Sequence, residues 1–209
     1  MDRKKEYRDL FGEMEFHPVV KLPEHARVFD FSSGYDAREI RNEIRHAGYG
    51  IGRYNERRPN MYTAPQYRDG RKRRFIHVGI DLWTPPGEAV YAACEGTVAY
   101  LADNDQPGNY GPTIIVRHRV RGMVLYALHG HLARESLGRH VPGDILPQGH
   151  PFAAVGTVGE NGNWEPHLHY QLSLQDPGKP DMPGVVSEDE LENALKIYPD
   201  PRIILGDIY

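Results

Sequence analysis

Short runs of alternating apolar and polar residues, spaced roughly ten to twelve residues apart, predict a mostly β chain. The runs fill residues 75–174, where Gly, Pro, Asn and Asp break them and no helical period appears. Such spacing fits a compact antiparallel β-sandwich or barrel core. The flanks differ in texture: a helix-containing N-terminal extension precedes the block, and a short C-terminal helix follows it. The expected division is an extension over 1–74 packing on the core, a β domain over 75–175, and a C-terminal extension over 176–209.

Residues 1–30 are polar and mixed, with one apolar cluster at His17-Pro-Val-Val-Lys-Leu, and read as an irregular lead-in. Asp36-Ala-Arg-Glu-Ile-Arg-Asn-Glu-Ile-Arg-His-Ala-Gly reads as a helix capped by Asp36, with Glu39 in capping-box position and Gly48 as its stop. Its stripe of Ala37, Ile40, Ile44 and Ala47 is narrow, so the helix is expected to lie sideways on a larger body. Residues 48–70 show no period and read as a long loop. The basic run Arg71-Lys-Arg-Arg reads as a solvated entry to a strand, with an anion-facing rim as the alternative. Strands are expected at Val90-Tyr-Ala-Ala-Cys, Gly96-Thr-Val-Ala-Tyr-Leu, Thr113-Ile-Ile-Val-Arg-His, Val124-Leu-Tyr-Ala-Leu and Phe152-Ala-Ala-Val. Beyond Leu174, a Pro/Gly-rich passage leads to a helix that opens on a Ser187/Glu190 capping box and is closed by Pro199 and Pro201.

Composition narrows the function. With 209 residues, 39% hydrophobic, and a net charge of -4, the chain lacks the basic excess of a nucleic-acid binder. Its one cysteine, Cys94, allows neither an internal disulfide nor a thiolate metal cluster. No segment approaches the ~20 apolar residues of a membrane span. The basic start has no apolar run behind it, so no signal peptide is visible and a cytoplasmic location is expected.

Histidine is the conspicuous residue, at eleven copies. From His167 the chain alternates strictly, so Leu168, Tyr170, Leu172 and Leu174 share one strand face, and His167, His169, Gln171 and Ser173 the other. Two imidazoles on one face can serve a single small site. His77-Val-Gly-Ile-Asp81 places a second His and an Asp on one face if the segment stays extended. Leu128-His-Gly-His-Leu132 follows a strand whose alternation would set His129 and His131 together with Met123, Leu125 and Ala127. A catalytic zinc site has three protein ligands and an open position. His77, Asp81 and one histidine of the 167/169 pair make such a set, and N/O ligands without thiolates favour zinc.

The motifs His77-x-x-x-Asp81, Gly130-His131-Leu132 and Pro166-His167-Leu168-His169 resemble the three signatures of the lysostaphin/LytM-type zinc metallopeptidases. Gly79, Pro86-Gly87, Glu95-Gly96-Thr-Val, Tyr110-Gly111, Arg117-His118, Gly143 and Gly156 agree with it, over about residues 75–174. The resemblance implies a lysostaphin/LytM-type β core and a single Zn2+ held by His77, Asp81 and His169. It also implies His131 and His167 as catalytic histidines, and a metallo-endopeptidase acting on peptide or peptidoglycan-type substrate. Two features depart from the pattern: His129 stands where the family usually has a tyrosine, and the export signal usual for such enzymes is not visible. The competing readings are an inactive binding or regulatory module on the same fold, a cytosolic hydrolase on a non-cell-wall substrate, and a glucose IIA-type phosphocarrier. The last needs no metal ligand, so Asp81 and a third histidine argue against it.

The remaining histidines (His17, His25, His46, His118, His140 and His150) read as surface or capping groups, and Cys94 as a small buried hydrophobe. Trp83 reads as core, and Trp164 as core or cleft wall. Tyr54, Asn55 and Asn60 read as loop residues that could lie over the open coordination position, as pocket wall or plug.

Overall fold

The computed structural model describes residues 11, 12, 14–69 and 72–209; the first ten residues of the polar lead-in and Arg71 of the basic run lie outside them. The extension supplies strands β1 (Arg27–Val28), β2 (Gly50–Gly52), β3 (Glu56–Arg57), β4 (Arg68–Asp69) and β5 (Lys72–Arg73). The β block supplies β6 (Ile76–His77), β7 (Ile80–Trp83), β8 (Ala89–Tyr91), β9 (Gly96–Asn104), β10 (Gly111–Val120) and β11 (Met123–Gly130). β12 (Ile145–Leu146), β13 (Pro151–Ala154), β14 (His167–Ser173) and β15 (Val185–Val186) follow. The helices are α1 (Ala37–Ala47), α2 (Arg134–Leu137), α3 (Glu188–Ile197) and α4 (Arg202–Leu205).

One eight-stranded sheet, in the order β1-β2-β7-β14-β11-β10-β9-β12, carries the core. It is antiparallel apart from the β1–β2 pair, and among the described residues β1 and β12 remain edges, so the sheet does not close into a barrel. Small sheets β15-β6-β3 and β13-β8 accompany it. The apolar face anticipated for β14 is in place: Leu168, Tyr170 and Leu172 join Ile80, Leu82, Ile114, Leu125 and Ala127 in the main buried cluster, with Val90 and Phe152 from the β13-β8 pair.

Residues 48–70 are not the loop their sequence suggests. β2 pairs with β7, and β3 pairs with β6, so this stretch extends both sheets. Strands of two or three residues are too short to display a period, which is why the pattern misses them. The glycines of β2 are required rather than incidental: a Cβ on Gly50 would lie 2.2 Å from the Phe29 ring.

α1 forms as its caps dictate. Asp36 accepts hydrogen bonds from the Arg38 and Glu39 amides, and Gly48 ends the helix in the left-handed conformation, at φ 75. Ile40 and Ile44 bury against Phe29, Phe31, Met61, Tyr62, Trp83 and Val185, a contribution of about 1.5–3 kcal/mol each. α3 opens on the reciprocal Ser187/Glu190 capping box. Two short elements have no sequence signal, the single turn α2 and the turn α4 that begins just past Pro201. His118, expected near the surface, is buried with its Nδ1 3.4 Å from Cys94 Sγ and 3.0 Å from the Glu95 carbonyl.

Candidate metal and catalytic site

Residues directly opposite one another in adjacent strands carry their side chains on the same face. Along one such row the sheet reads Gly52, Asp81, His169, Gly130 across β2, β7, β14 and β11. Asp81 and His169 therefore meet as cross-strand neighbours, and the glycines at either end leave room beside them. β6 brings His77 from the smaller sheet, where it is held between Val185 of β15 and Glu56 of β3.

The three side chains converge. His77 Nε2 lies 3.2 Å from Asp81 Oδ1, His169 Nδ1 lies 3.0 Å from the same oxygen, and the two nitrogens are 3.1 Å apart. The outer nitrogen of each imidazole has its own acceptor. His77 Nδ1 donates to the Arg53 carbonyl at 2.9 Å, and His169 Nε2 to Gln171 Oε1 at 3.0 Å. The Gln171 amide is itself oriented by donation from its Nε2 to the Pro183 carbonyl at 3.3 Å. These acceptors fix the tautomers, so the inner nitrogens present lone pairs to each other and to a carboxylate oxygen. Three buried lone pairs at this separation repel unless a cation lies among them. Zinc bonds of about 2.0–2.1 Å at tetrahedral angles require ligand separations near 3.3 Å, and this triangle is close to that. The residues fit the metal.

Electrostatics agree with the tautomers. Burial, with the Arg58 charge nearby, pushes the His77 imidazole down to about 4. Burial alone would raise Asp81, but His77 and Arg58 outweigh it and hold the carboxyl well below the usual range. At neutral pH His77 is therefore a neutral imidazole and Asp81 a carboxylate.

His131 and His167 stand beside the triangle, their rings 4.2 Å apart. His131 Nδ1 donates to the Asn161 carbonyl at 3.0 Å, and His167 Nδ1 to the Glu165 carbonyl at 2.7 Å, which leaves each Nε2 as the basic nitrogen. His167 Nε2 is 3.8 Å from Asp81 Oδ1. Burial, then the neighbouring histidines, holds His131 well below the ordinary range, and burial lowers His167 as well. Trp83 stacks on His167 at 4.3 Å and limits its tilt.

His129 is elsewhere, which corrects the expectation that it shares a face with His131. It packs against Phe152 and Tyr170 on the core side. The cause is His131 itself, whose φ of 61 is left-handed and costs a non-glycine residue about 1–2 kcal/mol. Its amide donates to the Tyr110 carbonyl, and its carbonyl accepts from Gly156, both at 2.8 Å, so the conformation is held from two sides. The reversal throws the His131 side chain to the face opposite His129.

A cleft of about 270 Å³ opens over these groups. The extension contributes Met61, Tyr62, Gln66 and Tyr67 to its wall, with Arg74 beyond them, and Trp164 closes part of another side. Tyr54, Asn55 and Asn60 are not among the lining residues: the Tyr54 hydroxyl donates to the Tyr198 carbonyl, and Asn55 sits at a left-handed turn with φ 53. Sequence patterning assigns no site role to Tyr110, whose hydroxyl is 3.5 Å from His169 Nε2 and donates to the Met182 carbonyl, or to Arg58, which meets Asp81. Tyr110 had a signal in Tyr110-Gly111 before a strand; Arg58, one of two arginines in a polar stretch, had none.

Gly79 lies against His169, the third residue of the triangle. A Cβ there would be 2.5 Å from His169 Cε1 and 2.6 Å from its Nε2. Gly79→Ala is expected to keep the fold and weaken metal binding about 10–100-fold, because it displaces a ligand ring from its second hydrogen bond. Chelator competition on the purified variant checks this, and unchanged affinity would mean the ring can shift freely.

Among the described residues no helix is long and apolar enough to cross a membrane. No curated protein matches the chain. Solved structures similar to it include a mutant catalytic domain of the prophage-encoded M23 protein EnpA from Enterococcus faecalis, 23% identical, with a TM-score of 0.43 over 66% of this chain and 85% of that one. The lysostaphin catalytic domain from Staphylococcus simulans is 17% identical, with a TM-score of 0.44 over 77% of this chain and 98% of that one. A zinc-containing peptidase from Vibrio cholerae is 23% identical, with a TM-score of 0.37, over 52% of this chain and 31% of that one. Residues 75–180, about half the chain, match the family described as Peptidase family M23, and the protein belongs to that family.

Proposed function

We propose that the protein is a zinc-dependent metallo-endopeptidase that hydrolyses peptide bonds in peptidoglycan-type peptides. The observation that carries this is the convergence of three lone pairs, on His77, Asp81 and His169, beneath a cleft that also holds two neutral histidines. Bound zinc supplies a Lewis acid that polarises a carbonyl and lowers the pKa of water. His131 and His167 are then the proton carriers. Each is neutral, anchored through Nδ1, and able to accept a proton at Nε2 from the attacking water and return one to the departing amine. Tyr62, Tyr67 and Trp164 offer an extended peptide an aromatic wall, and in this reading the extension over 1–74 builds part of the substrate site.

The test begins with elemental analysis of the purified chain, expected to show about one zinc, the stoichiometry of a single three-ligand site. His169→Ala should lose it, since removing a ligand costs more than the roughly 10–100-fold of an outer contact. The zinc form is then incubated with digested peptidoglycan, with glycine- and D-amino-acid-containing peptides, and with ordinary L-peptides, and products are identified by mass. Cleavage confined to L-peptides would redirect the reading to a non-cell-wall substrate. Metal binding without any cleavage would favour a binding module, and full occupancy in His169→Ala would sink the ligand assignment.

A further inference from the structure

Arg58 lies outside the family-matched residues 75–180, yet its side chain is wholly buried against the site. Its Nη1 donates to Asp81 Oδ2 at 2.7 Å and to the Tyr62 hydroxyl at 3.0 Å, while its Nε donates to Glu56 Oε2 at 2.8 Å. Glu56 is buried too, and its other oxygen accepts from the Phe31 amide at 3.1 Å. The Phe31 ring lies under the guanidinium at 4.9 Å. The opening that admits Arg58 is Gly52, the residue across the ladder from Asp81. A Cβ there would be 2.8 Å from Arg58 Nη2 and 3.2 Å from Asp81 Oδ2.

The two oxygens of Asp81 thus have different surroundings. Oδ1 faces His77 and His169; Oδ2 is held by a planar guanidinium that is itself fixed by a second carboxylate. Burying an arginine costs several kcal/mol unless its donors are met, and here the main partners are two carboxylates, one of them a candidate metal ligand. A counter-ion serving only the fold could sit anywhere in the extension. This one takes up one oxygen of the ligand and leaves the other to the triangle.

We propose that Arg58 is a positioning residue for the metal site: it engages Asp81 Oδ2, so that Asp81 offers the metal a single oxygen, and Glu56 keeps Arg58 in place. The inference rests on the metal-site reading above. It also gives the extension a second task besides walling the cleft, because the residue that orients a ligand of the matched domain comes from the preceding segment. Tyr62, which lines the cleft and shares Arg58 Nη1, joins the substrate wall to the ligand through one group.

The experiment compares the full chain with Arg58→Lys and Arg58→Met. Zinc affinity is measured by chelator competition, and the cobalt-substituted proteins are compared by visible absorption, which reports coordination number. Arg58→Met is expected to lose affinity about 100-fold, and Arg58→Lys, which keeps the charge without the fork, about tenfold. Both should give weaker cobalt bands as the freed carboxylate oxygen enters the coordination sphere, with lysine the milder case. Circular dichroism establishes that each variant is folded; if Arg58→Met is not, Arg58→Lys carries the comparison. Wild-type affinity and a wild-type cobalt spectrum in folded Arg58→Lys would overturn the proposal. A full chain that binds neither metal would overturn the metal-site reading itself, and this inference with it.

Discussion

His131→Ala and His167→Ala should each retain zinc while peptide hydrolysis falls by about 10²–10⁴-fold, the range for a positioned proton-transfer group. Neither imidazole belongs to the ligand triangle, yet both are buried at its edge, anchored through Nδ1 to the carbonyls of Asn161 and Glu165. A general base must be neutral at working pH with its free nitrogen facing the reacting atoms. Burial secures the first condition, and the two carbonyl acceptors secure the second. The decisive pair of measurements is kcat/KM on a cleaved peptide and metal content of the same preparation. Loss of metal in either variant would mean that a ligand and a proton carrier have been exchanged. Full activity in both would remove the histidines from the mechanism.

The metal-free protein should lose at least about 3 kcal/mol of stability on going from pH 8 to pH 5.5, a large part of the 5–15 kcal/mol typical of a domain. Burial and Arg58 push His77 down to about 4, and burial and His118 push His129 down to about 3. His131 is held well below its ordinary range by burial and its histidine neighbours. A histidine whose folded pKa is depressed binds its proton first in the unfolded chain. Its contribution is therefore complete above the unfolded value near 6.5 and disappears as the pH falls toward the folded one. One unit below 6.5, His77 and His129 cost about 1–2 kcal/mol each, and His131, His167 and His118, all lowered first by burial, add to the loss. Asp81 is also depressed, but its contribution is lost only below the carboxylate range, outside this window. Urea midpoints across the range, followed by circular dichroism, check the slope. Midpoints steady to pH 5.5 would show that these imidazoles reach solvent or carry charge in the folded state.

What the sequence revealed follows from the physics of each element. The β14 histidines were legible because a strand with one core face displays period two, and neighbours on the outer face are forced together. His77 and Asp81 were legible as a pair, although β6 ends at His77 and Asp81 lies in β7, so the extended run assumed for them is interrupted. His131 was expected beside His129 because periodicity presumes a continuous strand, and a left-handed residue reverses the face without altering any pattern. Arg58 was invisible for a different reason. Its carboxylate partners lie two and twenty-three residues away, and an arginine next to Arg57 in a polar stretch resembles solvated charge. The sandwich-or-barrel ambiguity persisted because strand spacing is the same in either; only the unpaired edges at β1 and β12 decide for an open sheet.

The Gly52–Asp81–His169–Gly130 row has a mechanical consequence. Asp81 and His169, two of the three candidate ligands, sit on adjacent strands, so their separation is set by backbone hydrogen bonds at the fixed pitch of a sheet, about 4.8 Å. Pulling them apart requires breaking the ladder, an event tied to unfolding of the core rather than to motion of loops. The aromatic wall over them hangs from short turns and the two-residue strands of the extension, which can breathe at far lower cost. The row of candidate ligands is thus an anvil of fixed dimensions and the aromatic wall over it a softer jaw, so changes in the jaw can alter what the cleft accepts without disturbing the anvil.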